Sequence, residues 1–516
     1  MADCRYGLNG DENLVLEALA LRFKIVAESH GEFAMVYFDT FDWRLHQAER
    51  RLVEVRQNGK SSSELCQVDG TLLASGGGVP RFAWDFPPGP MRQILEPLVE
   101  MRALLPVARL HGRRALHAVL DGREKTIARI EFFAPEVEGA DGSRLALRQR
   151  LIVHCLKGFA RAARRLCRFL EGRCGLTPLR EELFAESLTA LGRRPGEYSS
   201  KIDLSLTASM PAAVAVRQIL RHLFQTLRLN QPGVEDALDS EFLHDFRVAV
   251  RRTRVALAQF RTVLPAREVE HFRHEFAWLG TLTSPARDLD VYLLGFPKFQ
   301  AGLPPAERDD LVPFRRFLER HWEREYQQLT KQLRSPRYVR LLSNWDDFLQ
   351  RPEDPEATPD GMRPIAEVVA RRCWKIYRRV LREGQAIGPQ SPPSDLHELR
   401  KTCKKFRYLM EFFQSLYPAD RIGRLIKALK GLQDHLGAFQ DLHVQVETLR
   451  RFSQEMAEEG EAPAATLLAL GRLVEGFDRR QGEVREEFSE RFSSFAVEEN
   501  QQVCRALFKP QAREPA

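Results

Sequence analysis

The sequence has no hydrophobic run approaching the roughly 18–20 residues that a membrane-spanning helix needs, which excludes a helical membrane protein. Its N-terminus carries acidic residues where a secretory signal would carry lysines, so we expect a protein that is not secreted. None of the eight cysteines forms a Cys-x-x-Cys pair, and no cysteine spacing is typical of a zinc site. We therefore predict reduced thiols in a cytoplasmic protein with no metal and no cofactor.

The 516 residues are enough for about two to four domains, and a hydrophobic content of 43% excludes a wholly disordered chain. Lysine and arginine outnumber aspartate and glutamate by 78 to 71, which gives a formal net charge of +7. An excess of this sign favours an anionic partner, although it is modest for this length. The positions of the charges are therefore more informative than their sum.

The first ~130 residues predict strands, because short runs rich in β-branched and aromatic residues alternate with Gly- and Pro-rich breaks. These runs are Phe33–Phe38, Arg51–Arg56 and Ile127–Phe133. Apolar residues recur every three or four positions from about Leu145, which predicts a helix there. We predict an α+β domain over residues 1–205.

From Pro211 to Asn500 the pattern is helical except for two proline-rich connectors at Arg351–Pro364 and Gly388–Ser394. An all-α domain is therefore predicted over residues 211–500, followed by a C-terminal tail over 501–516.

The all-α part contains an internal repeat. Residues 243–266 align with 396–419 at an offset of 153 with seven identities, and the same offset places Arg287–Val291 over Gln440–Val444. The preceding helices align at an offset of 154, which pairs Arg217 and Arg221 with Arg371 and Lys375. The repeat predicts two similar helical bundles related by a pseudo-twofold axis, one over about 211–350 and one over about 364–500.

In each copy one helix, the signature helix, carries a stripe of basic residues at steps of three and four positions, which lie on one helical face. The opposite face is apolar, so each helix is expected to pack by one side and to present cations on the other. The stripes are His244, Arg247, Arg251 and Arg254 in the first copy, and His397, Arg400, Lys404 and Arg407 in the second; Arg252, Lys401 and Lys405 widen them. We call these eleven residues the basic ladders.

Like charges one helical turn apart repel by a few tenths of a kcal/mol, so a ladder of cations costs stability unless something binds it. Arginine forks bind phosphate oxygens in pairs and lysines supply mobile charge, so duplicated ladders indicate a polyphosphate-like polyanion. The alternative is an ordinary solvated helix face. A single ladder would favour that alternative, but the duplication favours the polyanion.

Two roles stay open for the histidines, which lie in the first helical turn where the helix dipole disfavours a charged imidazole. His244 and His397 could donate to a phosphate oxygen or tie the helix start to a neighbour. Asp288 and Asp441 are expected to pair with ladder arginines and to orient them, and not to bind a metal.

With its duplicated signature helix and the Arg287–Val291 segment, the sequence over 211–500 resembles a CHAD domain, the conserved-histidine α-helical domain of bacteria and archaea. The resemblance implies two four-helix bundles, a basic groove between them, and binding of inorganic polyphosphate. It implies contacts from all members of the basic ladders and, with weaker support, from Arg217, Arg221, Arg371 and Lys375.

The N-terminal part resembles more loosely a CYTH domain, an antiparallel β tunnel, through residues 36–60, 120–133 and 196–201. The family's Glu-x-Glu-x-Lys motif is absent from the segment LEALALRFKIVAE, and its later run of alternating glutamates is absent from 144–156. Because those glutamates hold the metals of the family's reaction, we predict a degenerate, inactive relative. Arg51, Arg56 and Lys60 either contact an anion or lie on an ordinary exposed strand edge, and the latter is favoured.

The sequence therefore predicts non-catalytic binding of inorganic polyphosphate in the bacterial cytoplasm, with polyphosphate granules as a possible location. One rival is a metal-dependent triphosphate or polyphosphate hydrolase that uses the N-terminal domain. The other is nucleic-acid binding, which is disfavoured because the phenylalanines lie at core-like spacing and not at positions suited to base stacking.

Overall fold

The computed structural model describes residues 4–8, 10–57, 60–179, 181–351 and 358–510. The chain divides into two compact units, Met1–Ser199 and Ser200–Ala516. The division at Ser199 lies a few residues before the boundary expected at 205. Within the described ranges, no helix has the length and apolar character needed to cross a membrane.

The first unit is built on one sheet whose described strand pairs are all antiparallel. The strand order is β10-β1-β9-β7-β6-β2-β3-β4-β5, and β8 pairs with β7 outside this path. The strands are β1 Cys4–Leu8, β2 Lys24–Asp39, β3 Arg50–Gln57, β4 Lys60–Gln67, β5 Leu72–Gly76, β6 Leu105–Leu120, β7 Thr126–Glu138, β8 Arg144–Ala146, β9 Gln149–Cys155 and β10 Thr177–Pro178.

Five helices accompany this sheet: α1 Glu12–Ala20, α2 Arg44–Gln47, α3 Pro90–Val99, α4 Ala160–Gly172 and α5 Leu183–Ala190. Helices α1 and α4 pack on the sheet through a shared apolar cluster that includes Leu19, Ile130 and Leu166. Helix α5 packs through Phe184 and Leu188 into a second cluster with Phe33 and Leu110. The unit is therefore an α+β fold, as predicted.

The three predicted strand runs are confirmed, since they lie within β2, β3 and β7. The helix predicted from Leu145 is wrong over its first part, because residues 144–155 form β8 and β9 and the helix α4 begins at Ala160. Strand β9 pairs with both β1 and β7, and these pairings override the local helical periodicity. The first strand is Cys4–Leu8, whereas the segment searched for the glutamate motif forms α1 and the start of β2.

The second unit is helical. Its helices are α6 Ala212–Glu235, α7 Ser240–Gln259, α8 Ala266–Leu282, α9 Ser284–Ala301, α10 Val312–Leu333, α11 Pro336–Gln350, α12 Ile365–Ala386, α13 Pro393–Phe412, α14 Ala419–Glu458, α15 Ala464–Glu486, α16 Phe488–Phe495 and α17 Glu498–Phe508. Part of the predicted connector, residues 352–357, lies outside the described residues.

The predicted repeat is visible in the helix starts. Helices α6, α7 and α8 start at residues 212, 240 and 266, and α12, α13 and α14 start 153 residues later in each case. The copies differ where the first has two helices, α8 and α9, and the second has the continuous helix α14. Pro285, in the first turn of α9, has no N–H for the hydrogen bond that would continue α8.

A third apolar cluster, the shared cluster, takes residues from both copies. Phe296 in α9 and Phe314 in α10 pack there with Phe452 in α14 and Leu470 in α15. The ring centroids of Phe314 and Phe452 are 6.1 Å apart. The two predicted bundles are therefore joined through a common core.

The predicted tail over 501–516 is wrong at its start. Helix α17 continues to Phe508, and the side chains of Cys504 and Phe508 are buried. The Phe508 ring lies 5.2 Å from that of Tyr417, so the last helix completes the core of the second copy. Residues 511–516 lie outside the described residues.

Candidate functional site

The two signature helices are α7 and α13. Asp239 caps α7, and its carboxylate accepts hydrogen bonds from the backbone N–H groups of Glu241 (2.9 Å) and Phe242 (3.2 Å). Helix α13 instead starts at Pro393, whose missing N–H is one of those left without a partner in a first helical turn. The predicted apolar faces are confirmed: Phe246, Val250, Leu257 and Phe260, and Leu399, Cys403, Met410 and Phe413, are all buried.

The ends of α7 and α13 contact each other, which brings the two copies together at the ladders. The rings of Phe260 and Phe413 lie 5.4 Å apart. Glu411 of α13 forms ion pairs with Arg252 of α7 (3.0 Å) and with Arg407 of its own helix (3.3 Å). One carboxylate therefore joins two ladder arginines from different copies.

Tyr408 lies between the two ladders. The guanidinium carbons of Arg251, Arg252 and Arg407 lie 5.6 to 5.8 Å from the centre of its ring, within the range of cation–π attraction. The side chain is 1% exposed, and its hydroxyl has no hydrogen-bond partner among the described residues. The Tyr408 ring therefore attracts three guanidinium groups, which come from both ladders.

Arg251 and Lys404 occupy equivalent positions in the two copies and lie near each other. Burial lowers the pKa of Lys404 to about 8, and the positive charges of Arg400, Arg251 and Arg407 contribute to this lowering. Asp441 opposes it without cancelling it. The fold thus holds a lysine among like charges at the point where the copies meet.

This lowered pKa predicts that anion binding becomes pH-dependent above about pH 8. A phosphate chain beside Lys404 would raise the pKa of that lysine, so binding at pH 9 should take up a proton, and affinity should fall by up to about tenfold per pH unit. Calorimetry in buffers of different ionisation enthalpy measures the uptake. Lys404→Arg should abolish it, and an unchanged uptake in that variant would contradict a role for Lys404.

Arg247 is tied to the junction of α8 and α9. Its Nη1 donates to the carbonyl oxygen of Gly280 (3.1 Å) and to the hydroxyls of Thr283 (2.7 Å) and Ser284 (3.1 Å). Burial lowers its pKa to about 10, while the charge of Asp288 acts in the opposite direction. This ladder member stabilises the fold as well as adding positive charge.

Arg254 lies beside the same turn. A Cβ atom at Gly280 would come within 2.9 Å of the Arg254 Nη1, so the glycine leaves room for this guanidinium. In the second copy, Arg400 forms the predicted ion pair with Asp441 at 3.5 Å. The expectation that both aspartates act on ladder arginines is thus confirmed at Asp441, and Asp288 acts electrostatically on Arg247.

Both ladder histidines contact equivalent positions of the two copies, in α9 and in α14, through different partners. The Nδ1 of His244 lies 3.1 Å from Nη2 of Arg287, and the Nδ1 of His397 lies 2.8 Å from Oε1 of Gln440. The structure therefore supports the second of the two open roles, a tie between the helix start and its neighbour.

Several ladder cations are left without an acidic partner. In the described part of the chain, no ion pair is formed by Arg251, Arg254, Lys404 or Lys405, and the two arginines are exposed. Lys401 pairs with Glu398 at 2.8 Å on the exposed surface, where such a pair contributes little. We call Arg251, Arg254, Lys404 and Lys405 the open cations.

Three of the four more weakly supported candidates, which lie outside the ladders, have partners within the fold. Arg217 and Arg221 donate to the carbonyl oxygens of Phe348 and Leu349, the latter at 2.6 and 2.9 Å, and so cap the end of α11. Arg371 pairs with Asp360 at 3.4 Å. Lys375 is exposed on α12, the helix that directly precedes the signature helix α13.

The remaining candidates for anion contact, Arg51, Arg56 and Lys60, lie in the first unit and have different surroundings. Arg51 is mostly buried beneath α5, and its guanidinium carbon lies 4.4 Å from the centre of the Phe184 ring. Its Nη2 atom lies 3.6 Å from Oε2 of Glu182. The favoured expectation of an exposed edge is therefore wrong for Arg51. Arg56 pairs with Glu54 at 3.3 Å, and the side chain of Lys60 lies outside the described residues. Among the residues described, no group of three or more His, Cys, Asp or Glu side chains is placed to hold a metal.

Two cavities among the described residues are lined by side chains other than those of the ladders. One of about 480 Å³ opens on the sheet of the first unit beside Arg56, His111 and Arg113. Another, of about 610 Å³, lies between the end of α6 and α10 beside Trp322 and Tyr326. Neither of these two cavities therefore belongs to the ladders.

Residues 218–450 match the CHAD domain family, from within α6 to within α14. The chain thus contains a CHAD domain, as predicted, in the unit that carries the basic ladders.

A protein of Mycobacterium tuberculosis (strain CDC 1551 / Oshkosh) is 24% identical over 280 residues. The match covers 51% of this chain and 52% of that protein, so the chain spans about half the length of the curated relative it matches.

Two solved structures are also similar. The CHAD domain of the plant Ricinus communis is 25% identical, with a TM-score of 0.49, over 58% of this chain and 96% of that one. The N-terminal region is similar to a candidate adenylyl cyclase of Hippeastrum whose dominant activity is that of a triphosphatase. That match is 14% identical, with a TM-score of 0.27, over 38% of this chain and 99% of that one. Both TM-scores are below 0.5, so neither likeness assigns an activity here, and the predicted inactivity stays a prediction.

Proposed function

We propose that this protein binds inorganic polyphosphate without catalysis, through the open cations of the two ladders. The observation that carries the proposal is the meeting of Arg251 and Lys404, equivalent residues of the two copies, at a place where their charges repel. A fold that concentrates unpaired cations loses stability unless an anion binds them. CHAD domains are associated with polyphosphate binding, which supports the same ligand.

A linear chain of phosphates fits this surface better than a compact anion. The open cations come from both α7 and α13, so a flexible chain can contact the two helices at once. After one helix has engaged, contact with the other is intramolecular and is favoured by effective concentration. Long chains should therefore bind more tightly than short ones.

Nucleic-acid binding is the less supported alternative. Single-stranded nucleic acids bind to exposed aromatic rings on which bases stack. The ring nearest the open cations, Tyr408, is 1% exposed and is covered by three guanidinium groups. The surface thus offers charge for phosphates without a platform for bases.

Hydrolysis of triphosphate or polyphosphate by the first unit is a separate hypothesis, and we propose that the protein lacks it. Glu131 and Glu138 of β7 are engaged with His154 (2.8 Å) and His111 (3.2 Å). Phosphate release by the full chain with Mg²⁺ or Mn²⁺ measures this activity.

We further propose that binding occurs in the bacterial cytoplasm, with granules of polyphosphate as the place to look for it.

The test of the binding proposal is its salt dependence. With about four phosphates neutralised by the open cations, and about 0.7–0.9 of a counterion released for each, these cations should contribute about −3 to the slope of log affinity against log salt. Their contribution alone should make affinity fall about two-hundredfold for a sixfold increase in salt. Titration of labelled long-chain polyphosphate over this range measures the slope, and a flat response would rule out the electrostatic account.

A further inference from the structure

A second concentration of positive charge lies on α4 of the first unit. Arg161, Arg164, Arg165 and Arg168 step by three, one and three positions, so they lie along one side of the helix, and all four are exposed. We call these four residues the arginine face. From its first to its last arginine, seven positions later, it extends about 10 Å along the helix axis.

Packing of the apolar side of α4 on the sheet leaves the arginine face on the surface. Leu166, Cys167 and Leu170, on the other side of α4, are buried in the cluster that includes Ile130 and Leu151 of the sheet. Because its apolar side is already covered by protein, α4 cannot insert that side into a lipid surface, as an interfacial amphipathic helix does.

Tertiary contacts add a further cation to the face. Arg22 precedes β2, yet its guanidinium carbon lies 5.9 Å from the centre of the Phe169 ring of α4. Arg165 in turn lies 5.9 Å from the Phe23 ring, and the two rings meet edge to face at 5.6 Å. Residues more than 140 positions apart in the chain thus build one basic surface.

The arginine face has no acidic complement. Within the described residues, none of its four arginines forms an ion pair, and neither does Arg22. The acid at the end of α4, Glu171, accepts a hydrogen bond from the Tyr6 hydroxyl at 2.8 Å. Four exposed arginines on other helices differ from this face, since each pairs with a glutamate on its own helix or one residue before it: Arg315, Arg379, Arg480 and Arg491.

We propose that the arginine face is a second binding surface for a linear phosphate polymer. The choice of inorganic polyphosphate as that polymer rests on the function proposed above. Arginine forks suit the paired oxygens of phosphate groups, and four of them in one row suit a chain of such groups. The neighbouring rings of Phe23 and Phe169 pack on each other and face guanidinium groups, so bases of a nucleic acid find no open ring to stack on.

The experiment uses the full-length protein with Arg161, Arg164, Arg165 and Arg168 all changed to Gln. Affinity for long-chain polyphosphate should fall about tenfold at low salt, and the slope of log affinity against log salt should become shallower by about 3. The matched control changes Arg315, Arg379, Arg480 and Arg491 to Gln, which removes the same charge from paired positions. If the α4 variant weakens binding no more than this control does, the proposal is wrong.

A variant that combines the α4 changes with changes at the open cations distinguishes this proposal from the proposed function of the ladders. A variant with all four open cations changed to Gln should keep residual binding, and the α4 changes should remove it. If the open-cation variant bound normally and the α4 variant did not, the ladder proposal would fail while this one stood.

Duplex DNA and vesicles rich in phosphatidylserine serve as rival ligands at equal phosphate concentration. Binding of either to the arginine face as tight as that of polyphosphate would overturn the assignment of the ligand.

Discussion

Replacing the four open cations, Arg251, Arg254, Lys404 and Lys405, with glutamine is expected to weaken binding of long-chain polyphosphate by about a thousandfold at low salt. Each lost contact between a cation and a phosphate is worth about 1 kcal/mol, and about 1.4 kcal/mol corresponds to a factor of ten. The fold should survive, because the substitutions leave the buried faces of α7 and α13 intact and remove a like-charge repulsion.

The two halves of this variant test the shared site. Changing Arg251 and Arg254 alone, or Lys404 and Lys405 alone, should cost long chains more than short ones, since a short oligomer does not bridge α7 and α13. Circular dichroism and unfolding curves report on folding, and the four paired arginines changed on α10, α12, α15 and α16 control for net charge. Equal losses for short and long chains would contradict a site formed by both copies.

The second large effect is expected on stability. Changing Glu411 to Ala should lower the free energy of unfolding by about 2–3 kcal/mol, because Arg252 and Arg407 would each lose their carboxylate partner while they remain mostly covered. A fully buried pair would cost about 3–5 kcal/mol, and the partial exposure of these groups reduces that figure. Urea unfolding followed by circular dichroism measures the change.

Two further variants give this stability prediction its controls. Glu411→Gln keeps a hydrogen-bond acceptor without the charge and should lose about half as much stability. Glu398→Ala breaks the exposed pair with Lys401 and should change the free energy of unfolding by less than about 1 kcal/mol. If Glu411→Ala were no more destabilising than Glu398→Ala, the carboxylate would not be the link between the copies.

The sequence predicted the signature helices well because their information is local and duplicated. The steps of three and four positions fix which side chains share a helical face, and the offset of 153 residues identified α7 and α13 as equivalent. The buried positions Phe246, Leu257 and Leu399 follow from the same periodicity. These features depend on neighbours in the chain and not on the tertiary fold.

The partners of individual cations could not be predicted in this way. Arg217 and Arg252 look alike in the sequence, yet one donates to a carbonyl 131 residues later and the other pairs with an acid 159 residues later. Likewise, β9 has a helix-like spacing but becomes a strand between β1 and β7. Pairings across such distances are set by packing of the whole unit, which no short window of sequence contains.

The shared cluster has a consequence for how the second unit reaches its folded state. Phe296 and Phe314 are buried against Phe452 and Leu470, so this core closes a loop of more than 130 residues. During synthesis, the first copy must therefore wait with those aromatic side chains uncovered until most of the second has left the ribosome. Because this cluster takes residues from both copies, neither copy can be removed without exposing apolar side chains of the other.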